Sequence, residues 1–210
     1  MPPTIEVSNE ALERLDELKI PYSRKFEKSQ DKFVYIPPAN LHFAKQKTHF
    51  GKYWNETHQA LQEEELAMPT LPEFAQTLNY LRENPTDENT ELYNEITQVK
   101  SPWRATWLDA CFEKRKDGLY ILTGNKTKSE KLDADTLMED KRISLESWIA
   151  KPTSQGLPRK DVDKSDLYFW YPREGSVARF NASDDGADLN CDGDPVNRNS
   201  DIGVHAVRRE

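Results

Sequence analysis

The amino-acid sequence predicts an α+β protein in which the helices come early and the remainder is rich in short strands. Two amphipathic helical segments lie in the first half of the chain, residues 52–65 and the segment that begins at Thr70. Later apolar residues stand in short runs separated by turn signals, and the last run ends near the C-terminus. Helices and strands therefore occupy different stretches of the chain, as in α+β folds.

Residues 1–30 are predicted to form an N-terminal arm and linker. A short strand, Thr4–Val7, precedes a helix that Ser8 caps and Pro21 stops, with leucines at positions 12, 15 and 18. This segment resembles the opening of ribbon–helix–helix antitoxin subunits, and the resemblance implies DNA binding. The alternative is an amphipathic arm that packs on the domain or on a second copy, so we expect a monomer or a weak homo-oligomer.

One domain is predicted over residues 31–210. It opens with the strand Phe33–Ile36, and Leu41–Ala44 continues it as a hairpin after two prolines. The helix predicted over residues 52–65 follows. One face of this helix carries an aromatic, a histidine and a leucine, namely Trp54, His58 and Leu61.

The second helix has the clearest start signal in the chain. Thr70 and Glu73 have the spacing of a capping box, and Pro72 stands in the first turn. A third helix is predicted over residues 90–100. The second helix has a continuous apolar stripe, formed by Leu71, Phe74, Ala75, Leu78 and Leu81.

Strands are predicted after the third helix. Trp103–Phe112 fits a helix or a strand, and we favour a strand because the turn signal Lys116–Gly118 and the apolar run Leu119–Leu122 follow it. Residues 124–166 are mostly polar and are predicted to form a long excursion. Such a stretch inside a domain is typically functional or loosely ordered.

The last quarter of the chain contains four short apolar runs. Leu167–Tyr171 and Ser176–Phe180 are predicted to pair as a hairpin around the turn Pro172–Gly175. Ala187–Cys191 and Gly203–Val207 are predicted to be two further strands. We expect the C-terminal strand to pair with the N-terminal one.

Composition excludes several classes of protein. The net charge is −8, and the last 50 residues carry 11 acidic and six basic side chains, so nucleic acid is disfavoured as a partner. The two cysteines, Cys111 and Cys191, supply neither a disulfide framework nor a four-cysteine zinc site. There is no apolar stretch of membrane-spanning length and no signal peptide at Met1–Thr4, so we expect a cytoplasmic protein, with surface display left open.

No catalytic motif is present, and we predict that the protein is not an enzyme. The sequence lacks a G-x-S-x-G elbow, a Gly-rich phosphate loop and any histidine pair at metal-ligand spacing. His58 is interpreted as a packed helix residue rather than a base. Asp184 and Asp185, with Asp192 and Asp194, are paired carboxylates, but their neighbours are too polar to raise a pKa, so a solvated acidic surface is favoured.

Calcium binding is the alternative that the acidic tail raises. Asp188, Asn190, Asp192 and Gly193 match the D-x-[DN]-x-[DN]-G opening of an EF-hand loop. The twelfth position is Asn199 instead of a bidentate glutamate, and no helix signal flanks the segment. A calcium-dependent carbohydrate- or protein-binding module therefore remains a second hypothesis, and the favoured prediction is that no cofactor or metal is required.

A pattern of spaced residues marks the tail at about residues 177–208. Its members are Val177, Ala178, Arg179, Phe180, Ala182, Ser183, Ala187, Leu189, Cys191, Pro195, Ile202, Gly203, Val204, Ala206 and Arg208. This pattern resembles the variable region of target proteins of diversity-generating retroelements, with its nearest likeness to the archaeal variable proteins. In these systems a reverse transcriptase copies a template repeat with errors at adenines into the 3′ end of the target gene.

The resemblance implies a C-type lectin fold that displays diversified side chains on a fixed scaffold. The first hairpin and the two early helices look like the start of that fold, and Met68–Phe74 is similar to the L-P-T-x-x-E-W opening of a helix in formylglycine-generating-enzyme-like relatives. The enzyme's activity does not carry over, because Cys191 is the single cysteine in the comparable region. The lectin calcium signatures E-P-N, Q-P-D and W-N-D are missing too.

Within the tail, small or apolar framework residues alternate with polar residues. The polar residues are of types that arise when adenines in Asn codons are replaced. The alternation Asp188, Leu189, Asn190, Cys191 predicts variable side chains on one strand face and framework on the other. The resemblance implies binding of a variable ligand, a protein or a glycan. The ligand-binding residues predicted are Asn181, Asp184, Asp185, Gly186, Asp188, Asn190, Asp192, Gly193, Asp194, Asn197, Arg198, Asn199, Asp201 and His205.

Overall fold

The computed structural model describes residues 32–98, 103–184 and 186–210. The predicted arm, residues 1–30, lies outside the described residues. Residues 32–210 form one compact unit, which is mixed α+β as predicted, with four α-helices among the described residues and mostly antiparallel strands.

A three-stranded sheet joins the two ends of this unit. Strands β1 (Phe33–Ile36) and β2 (Leu41–Ala44) form the predicted hairpin, turning through Asn40 in the left-handed conformation. The last strand, β11 (Val207–Arg209), lies antiparallel to β2, with Val207 opposite Phe43. The predicted pairing of the N- and C-terminal strands is therefore confirmed.

Helices α1 (Trp54–Glu63) and α2 (Leu71–Glu83) agree with the prediction, and α2 starts at the capping box of Thr70 and Glu73. Helix α3 (Asp87–Thr97) begins three residues before the predicted position 90, because the Thr86 side chain accepts a hydrogen bond from the Asn89 N–H and caps it. A short helix, α4 (Leu145–Ala150), starts behind Ser144.

The predicted long excursion over residues 124–166 is ordered rather than loose. It contains two strands and α4, and its buried apolar residues are Leu137, Ile143, Trp148, Ile149 and Leu157. Trp148 is fully buried and donates through its indole N–H to the Gly156 carbonyl at 2.9 Å. The sequence did not predict this order, because only a few buried apolar residues at irregular spacing hold the stretch against the domain.

The large sheet contains the strands β3 (Arg104–Arg115), β4 (Gly118–Thr123), β5 (Lys128–Lys131), β6 (Lys141–Ile143), β7 (Leu167–Trp170), β8 (Val177–Ser183), β9 (Gly186–Gly193) and β10 (Ile202–Gly203). Their order is β5-β4-β3-β8-β9-β7-β6, and β10 lies beside β3. The segment that begins near Trp103 is therefore a strand, as predicted, and it turns into β4 at the predicted site.

The predicted hairpin between β7 and β8 is wrong, because β9 lies between these strands. Strands β8 and β9 pair antiparallel, with Ser183 opposite Gly186. Strand β7 then pairs in parallel with the free side of β9. The predicted strand over Gly203–Val207 is also divided, into β10 and β11.

Two apolar clusters lie on opposite sides of the large sheet. The larger cluster packs α2 and α4 against one face of the sheet, through contacts such as Phe74 on Phe180 and Trp148 on Phe180. The smaller cluster packs Trp54 of α1 and Trp107 of β3 on the other face. Beyond Trp107, this second face continues across β8, β9 and β7 as a polar surface.

Candidate functional site

Strand β9 presents two chemically different faces. Leu189 and Cys191 are fully buried in the larger apolar cluster, whereas Asp188, Asn190 and Asp192 are half-buried on the opposite side. The predicted alternation of framework and polar side chains along this segment is thus confirmed. A change of side chain on the polar side leaves the apolar cluster untouched.

The registers of the neighbouring strands extend this polar side into a surface. Tyr168 and Trp170 of β7 stand beside Asp188 and Asn190, and Arg179 of β8 stands on the other side of Asn190. Side chains that oppose one another in a sheet point to the same face. We call this surface the outer face and define it as Tyr168, Trp170, Arg179, Asn181, Asp188, Asn190 and Asp192.

Arg179 lies at the centre of the outer face. Its guanidinium carbon is 5.7 Å from the ring centroid of Trp103, and it stands opposite Trp107 of β3 in the register. Burial lowers the pKa of Arg179, and the negative charges of Asp188, Asp194 and Asp192 offset this in part. The side-chain atoms Nε and Nη1 are buried and have no hydrogen-bond partner.

Asn181 and Asp188 form a polar pair beside Arg179. The Asn181 side-chain N–H donates to Asp188 Oδ1 at 2.7 Å, while the Asn181 carbonyl oxygen Oδ1 is buried without a partner. Burial raises the pKa of Asp188 to about 6, although the hydrogen bond from Asn181 and the charge of Arg179 act in the other direction. The carboxyl of Asp188 is therefore held in an environment that weakens its ionisation.

The aromatic side of the outer face is flanked by cations from the same chain. The rings of Tyr168 and Trp170 are 4.6 Å apart between centroids, and Trp170 is 37 % exposed. The guanidinium of Arg142 lies 5.8 Å from the Tyr168 ring. Arg173 binds Asp192 and also donates to Asp140 at 2.8 Å, so Asp192 is already paired within the protein.

Residues 194–201 form a loop beside the outer face. Polar side chains fold the loop on itself, because Asp194, Asn197 and Asn199 each accept a hydrogen bond from the backbone N–H two residues further on. The loop is held on the start of α1 by the Trp54 N–H, which donates to the Pro195 carbonyl at 3.0 Å. Arg198 stacks over Tyr53 at 4.6 Å.

Two of the predicted ligand-binding residues that carry polar side chains are buried, which corrects their placement on an exposed surface. His205 is 1 % exposed, lies 3.0 Å from the Ala44 carbonyl through Nδ1, and stacks on Phe43. Asn181 is 3 % exposed beneath its neighbours on the outer face. Sequence alone cannot separate these polar core residues from surface ones, since both stand between apolar neighbours.

At two of the predicted ligand-binding positions the backbone geometry favours glycine over residues with side chains. A Cβ atom at Gly193 would stand 2.7 Å from the Val177 carbonyl oxygen, closer than such contacts allow. Gly186 has φ +120°, which side chains of L residues rarely adopt. A side chain at either position would strain the backbone, which argues against the predicted variability of these two glycines.

The remaining predicted residues are accessible where they are described. Asp185 lies outside the described residues. The exposed residues flank the outer face at the β8–β9 turn and in the loop, and the half-buried ones border them. The exposed set is Asp184, Asp194, Arg198 and Asn199, and the half-buried set is Asp188, Asn190, Asp192, Asn197 and Asp201.

The calcium hypothesis requires a curled loop that the structure replaces with a strand. Asp188, Asn190 and Asp192 follow one another along the extended strand β9, so their carboxylate and amide groups do not converge as they do in an EF-hand loop. Within residues 32–98, 103–184 and 186–210, no group of three or more His, Cys, Asp or Glu side chains is arranged to hold a metal ion.

Sequence reasoning missed two polar features away from the outer face. Nε2 of the buried His58 lies 3.3 Å from Asp109 Oδ1, and Asp109 also accepts the Gly124 N–H at 2.7 Å, which holds the β4–β5 turn. Lys47 lines a cavity with space for about one water molecule, and burial together with the charge of Arg104 lowers its pKa to about 8. No local pattern marks either feature, because the partners are distant in sequence.

In the part of the chain that the structure describes, no helix is long and apolar enough to cross a membrane. Comparison with protein-family models, with curated proteins and with solved structures returns no match.

Proposed function

We propose that the chain is a non-enzymatic binding protein of the retroelement-diversified type, and that its outer face and the loop 194–201 contact the ligand. The observation that carries the proposal is the two-sided arrangement of β9. Leu189 and Cys191 anchor the strand in the core, while Asp188, Asn190 and Asp192 occupy the other side. Side chains on that side can change without creating a cavity in the core.

We also propose that the α+β arrangement is a C-type lectin-like fold. The pairing of β2 with β11, the two early helices α1 and α2, and the irregular large sheet support this assignment. In this fold the N- and C-terminal strands of the domain pair with each other. The strands β8 and β9 then lie in the middle of the large sheet and are buttressed by β3 and β7 on both sides.

The genome provides the most direct test of the function. We expect a near-copy of the codons for residues 177–208 beside a reverse transcriptase gene, with the differences concentrated at adenines of the copy. We expect the differing codons to include those of Asp188, Asn190 and Asp192, and the codons of Leu189 and Cys191 to be identical. A genome that lacks such a repeat would exclude the proposal.

A protein-level test uses matched substitutions on the two sides of β9. We expect the triple variant Asp188→Ser, Asn190→Tyr, Asp192→Ser to keep a cooperative unfolding transition, because these side chains lie outside the core. The control, Leu189→Ser with Cys191→Tyr, should abolish folding, because it buries a hydroxyl without a partner and overfills the apolar cluster. Equal loss of folding in both variants would argue against a diversified outer face.

A further inference from the structure

The centre of the outer face contains hydrogen-bonding groups that the protein itself does not satisfy. Arg179 Nε and Nη1 are buried donors without a partner, and Asn181 Oδ1 is a buried acceptor without one. Such groups are costly, and folded proteins keep few of them. Here they occur two residues apart on the same face of β8, at the position that the proposed function assigns to the ligand.

The nearby carboxylates do not accept hydrogen bonds from the unpaired donors of Arg179. Asp188 is engaged by Asn181 through Oδ1, and Asp192 is paired with Arg173. Asp194 accepts the Val196 N–H in the loop. None of the ion pairs found among the described residues includes Arg179. The guanidinium therefore has acidic neighbours that attract it at a distance but no counter-ion in contact.

The unfilled groups restrict the chemistry of a matching ligand. A carboxylate accepts from Arg179 but offers nothing to Asn181 Oδ1, and an ammonium group offers no acceptor to Arg179. A neutral primary carboxamide supplies both, since its oxygen accepts from a guanidinium N–H and its NH₂ group donates two hydrogen bonds. The second of these can be donated to Asp188.

The flanking side chains indicate the kind of molecule that carries the group. The outer face is a strand surface with Arg179 at its centre and with Tyr168 and Trp170 along its β7 side. Tyr, Trp and Arg are the residues that dominate binding energy in protein–protein interfaces, whereas small-molecule sites are concave. A protein surface that projects an Asn or Gln side chain therefore fits this site.

We propose that Arg179, Asn181 and Asp188 anchor the carboxamide of an Asn or Gln side chain from a protein ligand, an inference that rests on the proposed function. The indole of Trp103 lies against the guanidinium, so the ligand reaches Arg179 by displacing this half-buried ring. Arg179 and Trp103 are outside the set of predicted variable residues, whereas Asn181 and Asp188 belong to it. The carboxamide site is therefore proposed for this variant, and siblings that differ at positions 181 and 188 should lack it.

The test follows the Nε–H signal of Arg179 by NMR in the full chain labelled with ¹⁵N, and the Arg179→Lys spectrum assigns the signal. Acetamide is the probe, with acetate, methylammonium and methyl glucoside as comparisons. We expect saturable shifts with acetamide in the millimolar range or weaker, as its few atoms allow. Arg209 is the internal control, because its Nε–H already donates to Glu73 Oε1 at 2.6 Å and because it belongs neither to the outer face nor to the loop 194–201.

Variants of the flanking residues decide whether the site is built for a carboxamide. Trp103→Ala should enlarge the acetamide shift, and Asn181→Leu should weaken it several-fold without changing any response to acetate. If the Asn181 variant folds poorly, the acetamide shift is measured in Asp188→Asn instead. An equal response to acetate, a response to methyl glucoside alone, or no response overturns the inference. A template repeat in the genome would still stand in that case, so the two failures are distinguishable.

Discussion

Arg209 and Glu73 form a bidentate ion pair between the C-terminal strand and the start of α2. Arg209 Nε donates to Glu73 Oε1 at 2.6 Å, and Nη2 donates to Oε2 at 2.9 Å. The same carboxylate accepts the Thr70 N–H at 2.7 Å as the second half of the capping box. One side chain therefore fixes both the helix start and the strand that closes the small sheet.

We expect Glu73→Ala to lower the free energy of unfolding by about 1–3 kcal/mol, because it removes half of a capping box and leaves the Arg209 guanidinium without its carboxylate partner. Urea denaturation of the variant measures this loss. The control is Glu83→Ala at the other end of the same helix, an exposed glutamate whose contact with Arg82 is 3.5 Å long, and whose effect should be under about 0.5 kcal/mol. Equal losses in the two variants would contradict this role of Glu73.

The pH dependence of the same pair has a defined sign. Burial alone would raise the pKa of Glu73, but the hydrogen bonds from Arg209 and Thr70 hold it below its ordinary value. The folded state therefore keeps this carboxylate ionised at pH values where the unfolded state has begun to bind a proton. Its stabilisation is present above the ordinary glutamate pKa and is lost as the pH falls through the folded value, and Glu73→Gln should remove that part of the acid dependence.

We expect Gly193→Ala to destabilise the protein by about 1–3 kcal/mol, since the new Cβ would press on the Val177 carbonyl in the adjacent strand. Thermal unfolding compares it with Asp184→Ala, a change at an exposed turn residue that should be close to neutral. If the proposed function holds, sibling variants should keep glycine at position 193 while positions 188 and 190 differ. A stable Gly193→Ala protein would show that the two strands can separate at this point.

Local patterns predicted the parts of this fold that depend on neighbours in sequence. The capping box at Thr70 and the alternation along β9 are such signals, and both have the predicted form. The insertion of β9 between β7 and β8 depends instead on which of several possible strand pairings forms, and the apolar runs alone do not encode that choice. Burial of His205 likewise depends on Ala44 and Phe43, which are far from it in sequence.

His205 should make the protein sensitive to acid. Burial lowers its pKa to about 3, helped by the charges of Lys47 and Arg104. Between the ordinary histidine value near 6.5 and this value, the unfolded state binds a proton that the folded state excludes, so stability falls as the pH falls, by at most about 1.4 kcal/mol per pH unit. Stability curves of His205→Gln should be flatter over this range. A parallel curve would show that His205 takes up its proton without unfolding.

Asp188 should have the opposite effect in an overlapping range. Burial raises its pKa to about 6 from an ordinary 3.8, against the opposing effects of Asn181 and Arg179. The folded state then holds a proton that the unfolded state has released, and stability falls as the pH rises from about 4 to about 6.

The matched variant for this effect is Asp188→Asn, which removes the titration and keeps an oxygen for the Asn181 side chain at 2.7 Å. It should be more stable than the natural chain at pH 7, by on the order of 1–3 kcal/mol, and equal to it near pH 4. Urea denaturation at several pH values measures the difference, and Asp184→Asn at the exposed turn is the control. Because His205 contributes equally to both proteins, the difference isolates Asp188. A constant difference between pH 4 and 7 would mean that Asp188 ionises as freely in the folded chain as in the unfolded one.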